Sequence, residues 1–158
     1  PFAEGIFNAE FSYYDSTEDK DGTNPFIPNS QFRTLVGYER EVAKSLTASV
    51  QYYIESTLGY DNFKMNHPFP DEIVDEHRQL LTLRLRYLTM QQKLTLNFFA
   101  FYSSTDKDSY IKPYLNYRYS DNLSVSAGAN VFSGKQQHTF FGQHKDNTNV
   151  WLRARYQY

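Results

Sequence analysis

The chain has 158 residues, with 18 acidic side chains, 16 basic side chains and no cysteine. A chain of this length forms one domain, large enough for a sizeable core or a small closed barrel. The absence of cysteine excludes disulfides and thiolate metal sites, and the net charge of −2 gives no reason to expect nucleic acid as a partner. No segment has the roughly eighteen consecutive apolar residues of a transmembrane helix.

Eight segments alternate apolar and polar residues with a period of two, which is the pattern of strands with one apolar face. In chain order they cover residues 5–14, 31–40, 46–55, 77–89, 94–102, 110–119, 123–131 and 150–158. Tight turns at 41–44, 90–92 and 120–122 alternate with polar connections at 15–30, 56–76, 103–108 and 134–147. Pro113 lacks a backbone N–H, so we expect the sixth strand to be the least regular.

This layout predicts an all-β fold: one antiparallel transmembrane β-barrel domain of eight strands, of the outer-membrane type, over residues 1–158. The short turns would form the periplasmic rim, and the four long connections would lie outside. The 14 Tyr and 13 Phe suit the aromatic girdles of such barrels. The alternative is a soluble up-and-down barrel or a sandwich, which would bury the apolar row and expose the polar row.

Charges on a lipid-facing surface near the bilayer midplane cost about 2–4 kcal/mol each, so the charged row is predicted to face the lumen. Its members are Glu10, Arg33, Glu39, Glu55, Arg84, Arg86, Lys112, Arg118, Arg153 and Arg155. In a closed eight-stranded barrel these side chains would fill the interior as a hydrogen-bonded polar core. In a wider barrel they would line a water-filled pore whose cationic bias attracts anions. For 158 residues we expect the filled interior.

The last strand has the form of the C-terminal signal that the bacterial barrel-assembly machinery reads, because it alternates strictly and its last residue is aromatic. Its apolar row consists of Val150, Leu152, Ala154, Tyr156 and Tyr158. We therefore expect localisation in the bacterial outer membrane. The expected partners are outer-membrane lipid and, during insertion, the assembly machinery.

Three other groups of residues have side chains that could carry chemistry or bind a partner. A cluster of potential metal ligands lies in the second long connection: His67, Asp71, Glu72, Asp75, Glu76 and His77. It has no fixed ligand spacing, and the first connection resembles a calcium loop in composition but lacks the closing Glu of an EF-hand. Both are interpreted as solvated acidic loops, and no metal or cofactor is predicted.

Catalysis would require His77 with Ser56, or His138 with Ser133, as in outer-membrane lipid acyltransferases and deacylases. No nucleophile-elbow motif accompanies either pair, so we predict that the chain is not an enzyme. The long connections also carry apolar residues that either grip a partner or, as we expect, sit at the outer interface and over the barrel mouth. They are Phe26, Ile27, Phe63, Met65, Phe69, Phe140 and Phe141.

The stretches 21–31, 138–143 and 146–150, followed by the final strand, resemble the C-terminal half of a family of porin-like outer-membrane proteins of uncharacterised role from Gram-negative bacteria. The similarity covers most of the chain. Members of that family are considerably longer, and this chain starts on Pro1 without a signal peptide. The resemblance implies a natural protein with a wider, pore-forming barrel of which these are the last eight strands. It carries no assigned functional residues.

The function is therefore predicted to be porin-like passive transport of small solutes through an Arg-rich lumen, by this chain or by a porin of which it is the C-terminal part. Two alternatives remain. One is a closed structural or adhesive barrel whose extracellular loops bind a partner. The other is an outer-membrane enzyme that modifies lipid.

Overall fold

The computed structural model describes residues 4–158, which form a single sheet of eight antiparallel strands with little helix. The strands are β1 (Gly5–Tyr14), β2 (Gln31–Ala43), β3 (Leu46–Thr57), β4 (His77–Thr89), β5 (Leu94–Ser103), β6 (Asp108–Arg118), β7 (Leu123–Ser133) and β8 (Asn149–Tyr156). Each strand pairs with its neighbour in the chain, in the order β1 to β8. The predicted all-β fold with eight antiparallel strands is confirmed.

The remaining regular structure lies in the long connections. Helix α1 (Tyr60–Asn66) and a 3₁₀ turn (Pro70–Glu72) follow β3, and a second 3₁₀ segment (Gly142–Asn147) precedes β8. No helix within residues 4–158 is both long enough and apolar enough to span a bilayer. The strand ends differ slightly from those predicted: β2 continues to Ala43 across a register shift, and β8 stops at Tyr156.

The sheet is not closed into a barrel, in contrast to the sequence-based prediction. Within residues 4–158, β1 pairs only with β2 and β8 pairs only with β7, so both are edge strands. Alternation and short turns specify how consecutive strands pair, because those contacts are local. Closure instead depends on strand number, tilt and shear across the whole sheet, which local patterns do not encode.

The sheet is curved, and its polar face is the concave one. A cleft of about 260 Å³ on that face is lined by residues from all of β1 to β5, among them Asn8 and Phe99. In a flat sheet β1 and β5 would lie about 19 Å apart, since neighbouring strands are separated by about 4.8 Å. Only a curved sheet brings both residues to one cleft.

Burial in this sheet is inverted relative to a soluble protein. Among the described residues, Phe141 is the one buried large hydrophobic side chain, whereas Thr82, Ser103 and Asp108 are buried on the concave face. The apolar row lies on the convex face, where its side chains are half-buried or exposed, up to 85% at Val150. Soluble barrels and sandwiches bury that row. The fold therefore has no conventional hydrophobic core, and its strands are held mainly by the backbone ladder.

Gly128 on β7 leaves room for an aromatic side chain on the concave face. The indole of Trp151, its partner on β8, lies across this glycine next to Tyr114 of β6, with ring centroids 6.5 Å apart. A Cβ atom at Gly128 would lie 2.7 Å from Cζ2 of Trp151 and 2.9 Å from the carbonyl oxygen of Pro113. The absent side chain thus allows the indole to lie against the sheet.

Substitution of Gly128→Ala is expected to displace the Trp151 ring and to reduce the free energy of unfolding by about 1–3 kcal/mol, the usual cost of overpacking. Urea unfolding followed by tryptophan fluorescence measures both effects, because the chain has one tryptophan. The control is Ala127→Val, on the opposite face of the same strand. Equal stability of Gly128→Ala and the unmodified chain would contradict this packing.

Candidate functional site

The ten charged residues that the alternation predicts on one row all lie on the concave face. The register shows this directly: Arg33 pairs with Glu55, and Ser49 pairs with both Glu39 and Arg84. Arg84 in turn pairs with Phe99, which pairs with Lys112. The remaining members, Glu10, Arg86, Arg118, Arg153 and Arg155, occupy the same face by the two-residue period of their strands.

Most cations of this face have no acidic partner. Among residues 4–158 the ion pairs within 4.0 Å are Arg33–Glu55, Arg78–Asp106 and the contact between His77 and Glu76. Six cations of the concave face are therefore without a carboxylate at that distance: Arg84, Arg86, Lys112, Arg118, Arg153 and Arg155. Unpaired cations in a concave surface create a positive potential that favours anions.

The acidic partners are concentrated near the ends of the strands that carry the long loops. Arg33 Nε lies 3.1 Å from Glu55 Oε2, which also accepts a hydrogen bond from the Tyr53 hydroxyl at 2.8 Å. Arg78 Nε donates to Asp106 Oδ2 at 2.7 Å, and the aspartate side chain is only 7% exposed. Charge is thus neutralised at the loop end, whereas the turn end and the middle hold six cations against two carboxylates, Glu10 and Glu39, and remain net cationic.

Arg78 and Asp106 were missed by the sequence-based site prediction. Arg78 lies on the polar row of β4, but it is next to the acidic connection and reads as part of it. Asp106 belongs to the turn between β5 and β6, which the ladder places beside Arg78. The two-residue alternation of β4 could have identified Arg78, whereas Asp106 in the turn carries no such signal. The partner became visible only with the strand pairing.

Aromatic rings cover the concave face between the cations and the loops. Phe101 stacks on Tyr110 at 5.9 Å with an interplanar angle of 1°, and Tyr110 stacks on Phe132 at 4.5 Å with an angle of 6°. Phe99 continues the row at 4.8 Å from Phe101. These rings come from three neighbouring strands. They form a flat aromatic surface inside the curve of the sheet.

The connection between β7 and β8, residues 134–148, folds inward onto this aromatic surface and is called the inward loop below. Its Phe141 is 6% exposed and packs against Phe101 at 5.8 Å and Tyr110 at 5.9 Å. Its Phe140 lies under the guanidinium group of Arg78, 5.1 Å from the ring centroid. The loop therefore narrows the concave face at the loop end.

Asp108 at the start of β6 anchors the inward loop. Its Oδ2 accepts hydrogen bonds from the backbone N–H groups of Phe141 at 2.7 Å and Gly142 at 3.2 Å, and the residue is 1% exposed. Hydrogen bonds to a buried carboxylate are about twice as strong as neutral ones. The sequence placed Asp108 in a polar loop, and the partners thirty-odd residues away left no local signal of this role.

The first two long connections pack on each other above β1 to β4. Asn29 Nδ2 donates to the Leu58 carbonyl at 2.9 Å, and Asn62 Nδ2 donates to the Asp21 carbonyl at 2.8 Å. Within the first connection, the backbone N–H of Asn24 donates to Asp19 at 2.6 Å and lowers the pKa of that carboxyl. Hydrogen bonds within the protein thus organise this segment, whose composition resembles that of a calcium loop.

In the second connection, the potential metal ligands do not converge: among residues 4–158, no three His, Asp or Glu side chains are placed to hold a metal ion. His67 instead contacts the carbonyl of Phe69 at 2.9 Å. Burial raises the pKa of Tyr60, and the charges of Asp75 and Glu76 add to this effect. The segment is organised around α1 by its own side chains.

One of the two Ser–His pairs considered for catalysis does form. Ser56 Oγ lies 3.0 Å from His77 Nδ1, and the other ring nitrogen lies 4.0 Å from Glu76 Oε1. The pair is exposed at the loop end of the convex face, and the carboxylate is beyond hydrogen-bonding distance. Within residues 4–158 no hydrogen bond joins His138 and Ser133.

The apolar loop residues behave in two ways. Phe141 is buried by the inward loop, whereas Phe26, Met65 and Phe69 are exposed on the outer connections. On the last strand, the apolar row lies on the convex face from Val150 to Tyr156, and Tyr158 lies beyond the end of β8. The concave face is the part of the molecule where charge, aromatic rings and clefts coincide. Such a surface can attract anions, and its rings can stack with flat groups.

Comparison with protein-family models, with curated proteins and with solved structures found no match to this chain.

The Asp108→Ala variant is expected to release the inward loop, since each hydrogen bond to a charged acceptor contributes about 1.5–3 kcal/mol. Amide hydrogen exchange at Phe141 and Gly142 should become at least about tenfold faster, because 1.4 kcal/mol corresponds to a factor of ten. Asp146→Ala, an exposed residue of the same loop, is the matched control. Unchanged exchange in Asp108→Ala would show that packing of Phe141 alone holds the loop.

Proposed function

We propose that this chain functions in the outer membrane of a Gram-negative bacterium as a porin-like passive conduit for small anionic solutes, or as the C-terminal part of one. Its convex face would contact lipid, and its concave face would line an aqueous lumen. The barrel-assembly machinery would insert it through the alternating residues of β8. This is the class of function that the inverted burial and the unpaired cations support best.

The exposure of the apolar row carries the proposal. An exposed, continuous apolar surface across all eight strands is unfavourable in water and marks a surface that another apolar phase covers. The accessible surface of 10968 Å² also exceeds the roughly 8,200 Å² that a compact monomer of this mass would expose. Lipid is the cover that fits a cylinder-like convex surface on every strand.

The distribution of aromatic residues on the convex face supports the same assignment. Many of the rings lie toward the two ends of the strands, with smaller aliphatic residues such as Ala9, Val36 and Ala100 between them. Near the long connections the rings are Tyr13, Phe32 and Tyr102; near the tight turns they are Phe7, Tyr87, Tyr117 and Tyr156; nearer the middle of the strands are Phe11, Tyr38, Tyr52 and Phe98. Six residues separate Phe7 from Tyr13, or about 20 Å along a strand. An apolar band with two aromatic girdles is typical of outer-membrane barrels.

The two edge strands set a condition for membrane insertion. Unpaired backbone N–H and C=O groups cost several kcal/mol each in the hydrocarbon region, so β1 and β8 require partners there. Pairing with each other would give a closed eight-stranded barrel, and pairing with additional strands would give a wider one. The antiparallel directions of β1 and β8 are compatible with either arrangement.

The features of the concave face favour an aqueous path rather than a filled polar interior. Clefts of about 260, 400 and 430 Å³ lie along it, and six cations have no carboxylate within 4.0 Å among the described residues. A packed polar core requires its charged groups to be paired. Water and mobile anions are the remaining partners for these side chains. The inward loop would then narrow the path from the loop side.

One specific observation supports each of two other functions. The packed first and second connections display Phe26, Met65 and Phe69, which would suit an adhesive barrel that binds a partner. The Ser56–His77 contact would suit a lipid-modifying enzyme at the outer rim. Mass spectrometry of lipid A from cells that express the chain or its Ser56→Ala variant tests the enzyme, which a difference between the two samples would favour.

An arginine on the convex face should destabilise the protein in lipid. Val50→Arg is expected to lower the free energy of unfolding in phosphatidylcholine vesicles by about 2–4 kcal/mol, the cost of a lipid-facing cation near the midplane. Gln51→Arg, the next residue on the concave face, is the matched control and should cost much less. Equal costs for the two variants would contradict lipid contact at the convex face.

Ion selectivity tests the conduit. In planar bilayers under a salt gradient, the chain is expected to conduct with a preference for anions, and Arg84→Ser with Arg86→Ser should shift the reversal potential toward cations. Lys20→Ser with Lys64→Ser removes the same charge from exposed loop residues and should leave the potential unchanged. Conductance that is cation-selective would overturn the proposal, and so would the absence of any conductance both from this chain and from the full-length native protein.

A further inference from the structure

We propose that the concave face at β6, β7 and β8 holds a binding site for carboxylates attached to a flat aromatic ring. This inference rests on the proposed function, because it assumes that solutes reach the concave face, and it names their chemical class. The site is a cleft of about 430 Å³ lined by Lys112, Tyr114, Asn130, Trp151 and Arg153. Its volume is within the range of pockets that bind small molecules.

Two cations make the cleft attractive to an acid. Lys112 on β6 and Arg153 on β8 both line it, and neither has a carboxylate within 4.0 Å among residues 4–158. Between them runs β7, where the register places Lys112 at the height of Asn130 and Arg153 at the height of Ser126, with Gly128 and the Trp151 indole between these two levels. A planar ligand that lies on the indole can therefore place its carboxylate beside Lys112, while Arg153, on the other side of the indole, adds positive potential.

Two aromatic rings provide flat walls. Trp151 and Tyr114 face the same cleft with ring centroids 6.5 Å apart, and the indole is held against Gly128. An incoming planar ring gains stacking energy on such walls. Further toward the loops, an adjoining cleft of about 400 Å³ is lined by Tyr110, Phe132 and Phe141. Aromatic surface is therefore available on one side of the cations.

Asn130 joins the two clefts and is held in a fixed orientation. Its Oδ1 accepts a hydrogen bond from the Tyr110 hydroxyl at 2.7 Å, and its Nδ2 donates to Asn149 Oδ1 at 2.9 Å. The amide nitrogen retains a second hydrogen that it can donate to an acceptor in the cleft. A fixed donor beside Lys112 adds directionality to carboxylate binding, which diffuse positive potential alone does not supply.

The composition of the walls distinguishes this ligand class from its neighbours. A simple inorganic anion would use the cations but not the aromatic rings. A sugar acid would need several hydrogen-bonding groups for its hydroxyls, whereas the neutral polar groups lining this cleft are Asn130, the Tyr114 hydroxyl and the indole N–H of Trp151. An aromatic carboxylate uses the cations, the rings and the single fixed amide together.

The test uses Trp151, which is the only tryptophan of the chain and lies in the proposed site. The full chain in detergent micelles is titrated with benzoate, and its fluorescence is expected to change to saturation. Acetate, which lacks the ring, and benzamide, which lacks the charge, should each bind at least about tenfold more weakly. Binding in micelles requires no ion flow, so it is measured independently of conductance.

Substitution of each cation of the cleft measures its contribution to the affinity for benzoate. Lys112→Gln is expected to raise the Kd for benzoate about tenfold or more, and Arg153→Gln to raise it by a smaller factor through the loss of positive potential. Lys135→Gln in an exposed loop position and Arg40→Gln on the convex face are the matched controls and should leave the Kd unchanged. Retained heat-dependent gel mobility of every variant confirms that it is folded. If Lys112→Gln loses this mobility, Lys112→Arg is used in its place. Calorimetry should then show that Lys112→Arg still binds benzoate.

Three outcomes would overturn the inference. Equal affinity for acetate and benzoate would mean general anion attraction, and tighter binding of galacturonate would mean a site for sugar acids. No saturable change with any acid, in a protein that conducts anions in bilayers, would remove the site and leave the conduit intact. Saturable benzoate binding without any conductance would instead retain the site and reject the conduit.

Discussion

The antiparallel backbone ladder is the constraint on which the rest of this structure depends. Among the described residues, one large hydrophobic side chain is buried, so side-chain burial contributes little to holding the strands together. The backbone hydrogen bonds of seven consecutive strand pairings, from β1–β2 to β7–β8, hold the strands together instead. The ladder also fixes sidedness, because a slip of one residue would move every charged side chain to the other face. The separation of charge from apolar surface therefore follows from register.

Curvature turns this sidedness into a site. On a flat sheet the cations, the aromatic rings and the inward loop would be spread over a wide surface, with little shared volume. In the curved sheet they border common clefts, and the inward loop lies over the rings. Asp108 is central to this arrangement, because its carboxylate accepts hydrogen bonds from backbone N–H groups of the inward loop. It lies on β6, the strand that also carries Tyr110 and Lys112. A strand residue thus positions a distant loop over the site.

The distribution of charge along the strands gives the concave face a direction. Acidic and basic side chains pair near the long loops, at Arg33–Glu55 and Arg78–Asp106, and the cations beyond them lack carboxylates within 4.0 Å in the described part of the chain. Aromatic rings lie between the two zones. An anion that moves from the loop end toward the turn end would meet neutralised charge, then aromatic surface, then unpaired cations. This order is consistent with a conduit that admits and holds acids.

The sequence by itself determined the strands, their antiparallel order and the face on which each of the ten charged residues lies, because the two-residue period and the turn residues are local properties. The tertiary structure decided what is not local. It left β1 and β8 unpaired with each other, because closure depends on geometry summed over the whole sheet. It also buried Asp108 under Phe141 and paired Arg78 with Asp106, since such contacts join residues far apart in the chain that only strand register and sheet curvature bring together.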